Sequence, residues 1–252
     1  MSETERLATI WQATVGALQQ VVREHSITQD ELHEAAEYLT RAAKADVMRS
    51  LIDVALSMTS ADALRLTRGT RPNPEGPYYR TGAPLREGGL LLEHPPGDGA
   101  ELLTIRGRIV DADSGEPLSG AELDIWQADH SGNYDLSGYH LRGRVRTGEA
   151  GDYGFTTIVP SEYTEHDEDP VGELFRALGR HNYRAGHIHV KVRVDAQELL
   201  TTQMYMSDSP YLGSDYVLGA VSDDLVVARR QVDGGASEGT FDMSIPRAAQ
   251  AA

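Results

Sequence analysis

The chain has 252 residues, 40% of them hydrophobic, enough for one sizeable domain or a main domain with a smaller one. Its 23 basic and 39 acidic residues give a formal charge of −16, which argues against nucleic acid and against an anionic membrane surface as partners. There is no cysteine, so disulfides, thiolate metal sites and cysteine nucleophiles are excluded.

The N-terminal stretch Met1 to Glu5 is polar and lacks a signal-peptide pattern, and no run approaches the length of a membrane-spanning helix. The expectation is a soluble, cytoplasmic protein. Residues 1 to about 66 read as helical. Leu7, Ile10, Trp11, Val15, Leu18 and Val22 recur at three- and four-residue spacing, one face of a helix. Thr28 with Glu31 fits a capping box that opens a second helix through Leu32, Ala35, Ala36, Leu39 and Ala43. A third series runs through Val47, Met48, Leu51, Ile52 and Leu56. Their role is read as packing rather than catalysis. The apolar faces need a partner, either the rest of the chain or a second copy.

From Thr70 the prolines of Thr70-Arg-Pro-Asn-Pro-Glu-Gly-Pro77 stop any helix. Pro95-Pro-Gly-Asp-Gly99 marks another loop, and a connection this long is often functional. Beyond Leu102 the chain reads as β. Strands are expected at Leu103–Val110, Ala121–Ala128, 141–147, 153–159, 187–194, 199–206, 224–228 and 239–245, with one or two helical turns within Val171–Gly179. Short strands between Gly, Asp and Ser turns suggest a sandwich. The tail Arg247 to Ala252 is expected to fray.

The stretch Arg184 to Val192 alternates. On a strand His187 and His189 share one face, while Ile188, Val190 and Val192 share the other. Two imidazoles so placed can grip one metal ion; the plain alternative is a solvated polar face with Lys191 and Arg193. Gly186 permits close backbone approach beside them. Further ligands are needed. A carboxylate would point to ferrous iron, but acidic residues are too plentiful to choose one. Tyrosine is the other option. Tyr134 and Tyr163 each follow an expected strand, and a phenol becomes a good ligand only when a strongly charged cation stabilises its phenolate. Either could equally be a packed core or rim residue.

At this point a family resemblance is specific. The segments Glu75-Gly-Pro-Tyr-Tyr-Arg-Thr-Gly-Ala-Pro84, Gly120-Ala-Glu-Leu-Asp-Ile-Trp-Gln-Ala128, Leu141-Arg-Gly143, Gly151-Asp-Tyr-Gly-Phe155, Gly179-Arg-His-Asn-Tyr-Arg-Ala-Gly-His-Ile-His189 and Leu200-Thr-Thr-Gln-Met-Tyr205 occur in the order found in the intradiol ring-cleavage dioxygenases. The chain resembles the catechol and hydroxyquinol 1,2-dioxygenases over most of 45–228. The resemblance implies one ferric ion, Fe(III), per chain, held by Tyr134, Tyr163, His187 and His189. Tyr163 takes the role of the ligand that substrate displaces. Arg184 and Gln203 match catalytic positions, and Gly76, Pro77 and Tyr78 match the pocket wall. The substrates implied are an aromatic diol and O2, the product a cis,cis-muconate or maleylacetate-type diacid, and the assembly a homodimer.

The expected organisation is mainly β: an N-terminal helical dimerisation region at 1–68, a linker and pocket-lining loop at 69–100, and a β-sandwich catalytic domain at 101–246. The chain departs from the family at Ala185-Gly186, where a proline is usual, at Tyr78, where phenylalanine or leucine is usual, and in its shorter length. Tyr78, Trp126-Gln-Ala128, Tyr134-Asp135, Asp169-Pro-Val-Gly172, Leu174 and Gly179-Arg-His181 pull toward the hydroxyquinol branch. Two other readings stay open. Thr104 to Ala121 looks like the opening of a prealbumin-like binding module, which needs no iron. A ferrous extradiol enzyme would yield a yellow semialdehyde rather than a colourless diacid.

Overall fold

The computed structural model describes residues 1–64, 68–232 and 234–246. The end of the expected helical stretch at 65–66 and the expected fraying of 247–252 lie outside them. Three helices open the chain: α1 Glu3–Glu24, α2 Gln29–Lys44 and α3 Met48–Leu64. The expected Thr28–Glu31 capping box is formed, and Ser2 with Glu5 makes a second one on α1. None of these helices is long and apolar enough to cross a membrane, nor is any other among the described residues.

The β-region follows as β1 Leu102–Asp111, β2 Glu122–Gln127, β3 Arg142–Arg146, β4 Asp152–Ile158, β5 Tyr163–Thr164, helix α4 Pro170–Ala177, β6 Tyr183–Arg184, β7 His187–Val194, β8 Gln197–Met206, β9 Val226–Val227, β10 Arg229–Val232, β11 Ala236–Thr240 and β12 Met243–Ile245. One five-stranded sheet runs β3-β2-β7-β8-β9. The other is built on β1, with β4 antiparallel on one side and β11 then β12 parallel on the other. Leu103, Ile105 and Ile109 of β1 meet Leu123 and Ile125 of β2 and Ile188, Val190 and Val192 of β7 in one fully buried core. Each such side chain contributes about 1.5–3 kcal/mol, an upper figure because the unfolded chain already buries some surface. The expected sandwich with N-terminal helices is the fold.

Two local expectations need correction, and one open alternative is closed. The run 224–228 begins as a 3-10 turn, Asp223–Leu225, and only Val226–Val227 is strand. The run 239–245 is two strands, because Asp242 Oδ1 accepts from the Arg108 main-chain N–H at 2.8 Å where a ladder carbonyl would otherwise stand. The β7 face that carries the histidines is not solvated. The segment 73–79 lies across it: Asn73 N–H donates to Thr201 O, Glu75 pairs with Lys191, and Tyr79 packs under the Lys191 ammonium at 4.2 Å. Lys191 is therefore 4% exposed although it is charged.

Candidate active site

Four side chains from three places in the chain converge under that segment. β7 supplies His187 and His189. Tyr134 comes from the loop after β2, shaped by Asp129, whose carboxylate accepts from Ser131 and Asn133 N–H. Tyr163 opens β5 and pairs across a two-stranded sheet with Arg184. Two glycines let these pieces meet. A Cβ on Gly186 would stand 2.6 Å from Pro160 O, and one on Gly132, at φ +84°, would stand 2.9 Å from Tyr163 Cβ.

The donor atoms close a ring. His187 Nε2 lies 3.0 Å from His189 Nε2, which lies 3.1 Å from the Tyr134 hydroxyl. That hydroxyl is 3.2 Å from the Tyr163 hydroxyl, which is 3.5 Å from His187 Nε2. His187 Nδ1 is 2.6 Å from Ala185 O, an acceptor, so Nδ1 carries the proton and Nε2 turns a lone pair into the ring. Burial lowers the pKa of both histidines well below the ordinary value, helped by the Arg184 charge. Both are neutral, the state in which imidazole ligates. Burial also pushes the Tyr134 and Tyr163 phenols up, so a strongly charged cation is what would draw off their protons.

Packing fixes the ring's orientation. Trp126 stacks on His189 at 4.7 Å and 9°, and Tyr78 stacks on Tyr134 at 4.3 Å and 23°. Arg142 places its guanidinium 5.8 Å from the centre of the Tyr134 ring. No group of three His, Cys, Asp or Glu suited to a metal occurs among the described residues. That is consistent with a site whose other two donors are tyrosines. Two phenols and two neutral imidazoles suit a hard trivalent ion.

Beside the ring lies a buried polar network. Arg184 Nε donates to both Asp215 oxygens, at 3.1 and 3.3 Å, and its Nη2 donates to Gln203 Oε1 at 2.7 Å and to the Tyr205 hydroxyl at 3.1 Å. Burial works against the Arg184 charge, but Asp215 outweighs it and the guanidinium stays protonated. Gln203 also donates to Pro74 O at 2.9 Å and reaches His189 Nδ1 at 3.4 Å. Asp215, Tyr205 and Arg142 were not singled out from the sequence. The Arg142 signal was present in Leu141-Arg-Gly143, whereas Asp215 is one carboxylate among many.

A family model described as Dioxygenase matches residues 74–246. The chlorocatechol 1,2-dioxygenase of Pseudomonas sp. (strain P51) is 34% identical over 97% of this chain and 98% of its own length. The chain belongs to the intradiol ring-cleavage dioxygenases. The hydroxyquinol 1,2-dioxygenase of Rhizobium sp. (strain MTP-10005) is 31% identical over 90% of this chain and 81% of its own. Among solved structures, the chlorocatechol 1,2-dioxygenase from Pseudomonas putida aligns with a TM-score of 0.87 at 30% identity, covering 98% of this chain and 100% of that one.

In this intradiol dioxygenase the ring of donors is flanked by a small cleft of about 60 Å³. Gly76 and Pro77 line it, as do Arg184, Glu165 and Tyr216. Tyr78 is not among the lining residues. The opposite wall is α3, through Arg49, Asp53 and Val54. Nothing in the periodicity of that helix marks one polar residue as facing a cleft, so its sequence points to packing alone.

Proposed function

We propose that this chain opens the ring of a catechol-type substrate between its two hydroxylated carbons with O2, and that Tyr134, Tyr163, His187 and His189 hold one ferric ion for that reaction. The observation that carries the reading is the closed ring of two phenols and two neutral imidazoles beside a cleft with a buried cation. The metal, when bound, draws electron density from the diol and so makes the ring reactive toward O2.

The chain's own groups do the rest. Tyr134 is clamped between Tyr78 and Arg142 and stays in place. Tyr163, which stands opposite Arg184 across the β5–β6 pair, matches the family's displaceable ligand and on that resemblance is the phenol that would give way to substrate and accept its proton. Arg184, held by Asp215, presents a fixed positive charge where the deprotonated diol gathers negative charge. Gln203 ties that guanidinium to the His189 side of the site. The segment 73–79 excludes water from the histidine face. We also infer that the chain works as a homodimer through α1 and α2, whose exposed apolar residues are left without a partner in the single chain.

Protein purified with ferric ion should be red-brown, from phenolate-to-iron charge transfer, with one iron per chain. His189→Ala should lose both iron and colour, since one ligand and its fixed geometry disappear. Aerobic incubation with catechols should give a colourless diacid, identified by mass and absorbance. A protein that stays colourless and inactive after ferric loading would sink the assignment. A yellow semialdehyde would favour the extradiol reading instead.

A further inference from the structure

The cleft has an acidic wall that neither the donor ring nor the Arg184 network uses. Glu165 stands two residues after Tyr163 and lines the cleft, with its side chain only 10% exposed. The Tyr216 hydroxyl donates to its Oε2 at 3.5 Å. His166 Nε2 is 3.9 Å from the same oxygen, beyond hydrogen-bond reach, and its other nitrogen is held by Asp169. Arg184 commits its Nε to Asp215 and its Nη2 to Gln203 and Tyr205. A carboxyl group offers about four acceptor positions, and here one long hydrogen bond, from Tyr216, is made to them. On the facing wall, Asp53 makes only a 3.5 Å contact with the exposed Arg49.

A site with spare buried acceptors favours a ligand that brings a donor to them and penalises one that covers them with carbon or halogen. We propose that Glu165 is a specificity-determining residue, accepting a hydrogen bond from a hydroxyl or amino substituent on the ring of the bound catechol. The substrate class is then a catechol with a donor-bearing substituent, in preference to one carrying an alkyl group or halogen. A carboxylate substituent is disfavoured as well, because it would face Glu165 and Asp53. The inference rests on the ring-cleavage reading above and refines it. It holds whether or not Glu165 is ionised, since both forms keep an acceptor oxygen. It also moves the expected polar contact from Tyr78, which stacks on Tyr134 and does not line the cleft, to a residue that does.

The test uses the full iron-loaded chain and two substrates of nearly equal size, benzene-1,2,4-triol and 4-methylcatechol. The readout is the ratio of their kcat/KM values, compared between wild type and variant so that intrinsic ring reactivity cancels. Glu165→Leu should lower the triol-to-methyl ratio at least about tenfold, mainly through KM for the triol. Glu165→Gln, which keeps an acceptor oxygen, should retain most of the ratio. Iron content and colour should be unchanged in both. If Glu165→Leu fails to fold, Glu165→Met, closer in length, gives the same readout. An unchanged ratio in the apolar variant overturns the proposal while ring cleavage stands. A wild-type chain that cleaves neither compound, nor any other catechol, overturns the ring-cleavage reading and this inference with it.

Discussion

At the scale of single residues, Arg184 combines two effects that a simple alanine change would confuse. It carries charge beside the reaction, and it neutralises Asp215 in a buried pair with side-chain exposures of 6% and 3%. Removing a preorganised charge typically costs about 10²–10³-fold in rate. Breaking a buried pair by removing one partner costs about 3–5 kcal/mol of stability. Arg184→Ala should therefore lose both turnover and thermal stability. The double variant Arg184→Ala/Asp215→Ala removes the unpaired carboxylate but leaves the Ala185 and Val217 N–H groups without their acceptor, so it should recover only part of the stability and none of the rate. Full turnover in the single variant would show that the guanidinium has no part in the chemistry. The Arg184 position could be named from its neighbours in sequence. Its partner could not: Asp215 lies 31 residues on, and a chain with 39 acidic residues offers no local mark for the one that is buried. Glu165 was hidden for the same reason.

At the scale of elements, the run from His187 to Val194 shows what alternation does and does not reveal. The period of two put both histidines on one face, which is where they are. It could not reveal that the polar face is roofed by residues 73–79, because that contact joins segments more than 100 residues apart. Strand ends were likewise set by partners. β11 and β12 read as one run until Asp242 interrupts the ladder on β1. The departure at Ala185, where a proline is usual, has a structural account: Ala185 N–H donates to Asp215 Oδ2 at 2.9 Å, and proline has no N–H to give. At the next residue the backbone passes so close to Pro160 that no Cβ fits on Gly186. Gly186→Ala should push the 160–163 segment outward, at a cost of about 1–3 kcal/mol, and should weaken iron retention by displacing Tyr163. Thermal midpoint and iron content after dialysis measure the two effects. Wild-type values for both would mean that the segment yields freely.

For the whole molecule, the helices were legible from periodicity, and what covers their apolar faces was not. α1 has no buried residue, and Leu7, Trp11 and Leu18 are 66%, 68% and 61% exposed. An apolar stripe of this kind marks an interaction surface. Intact protein should run as a dimer in light scattering, and removal of residues 1–40 should give monomer or aggregate. A monomer at micromolar concentration in the intact protein would refute the dimer. The tilt of α3 onto the sandwich was also unreadable. Its spacing predicts a helix, but only its packing, through Val54 and Met58 in the core, turns Asp53 toward the cleft.

The parallel pairing of β1 also bears on how the protein is made. Leu103 pairs with Ser237 and Ile109 with Met243, so one edge of the earliest strand has its partners near the far end of the chain. At ribosomal speeds of 5–20 residues per second, that edge waits on the order of ten seconds after it emerges. β4 arrives sooner and covers the other edge by antiparallel pairing. During the interval Arg106 and Arg108 stand on the uncovered strand, and charges of this kind deter pairing with other nascent chains. The sheet opposite the active site thus closes last, and a message cut short before Ser237 would yield a sandwich with that edge open.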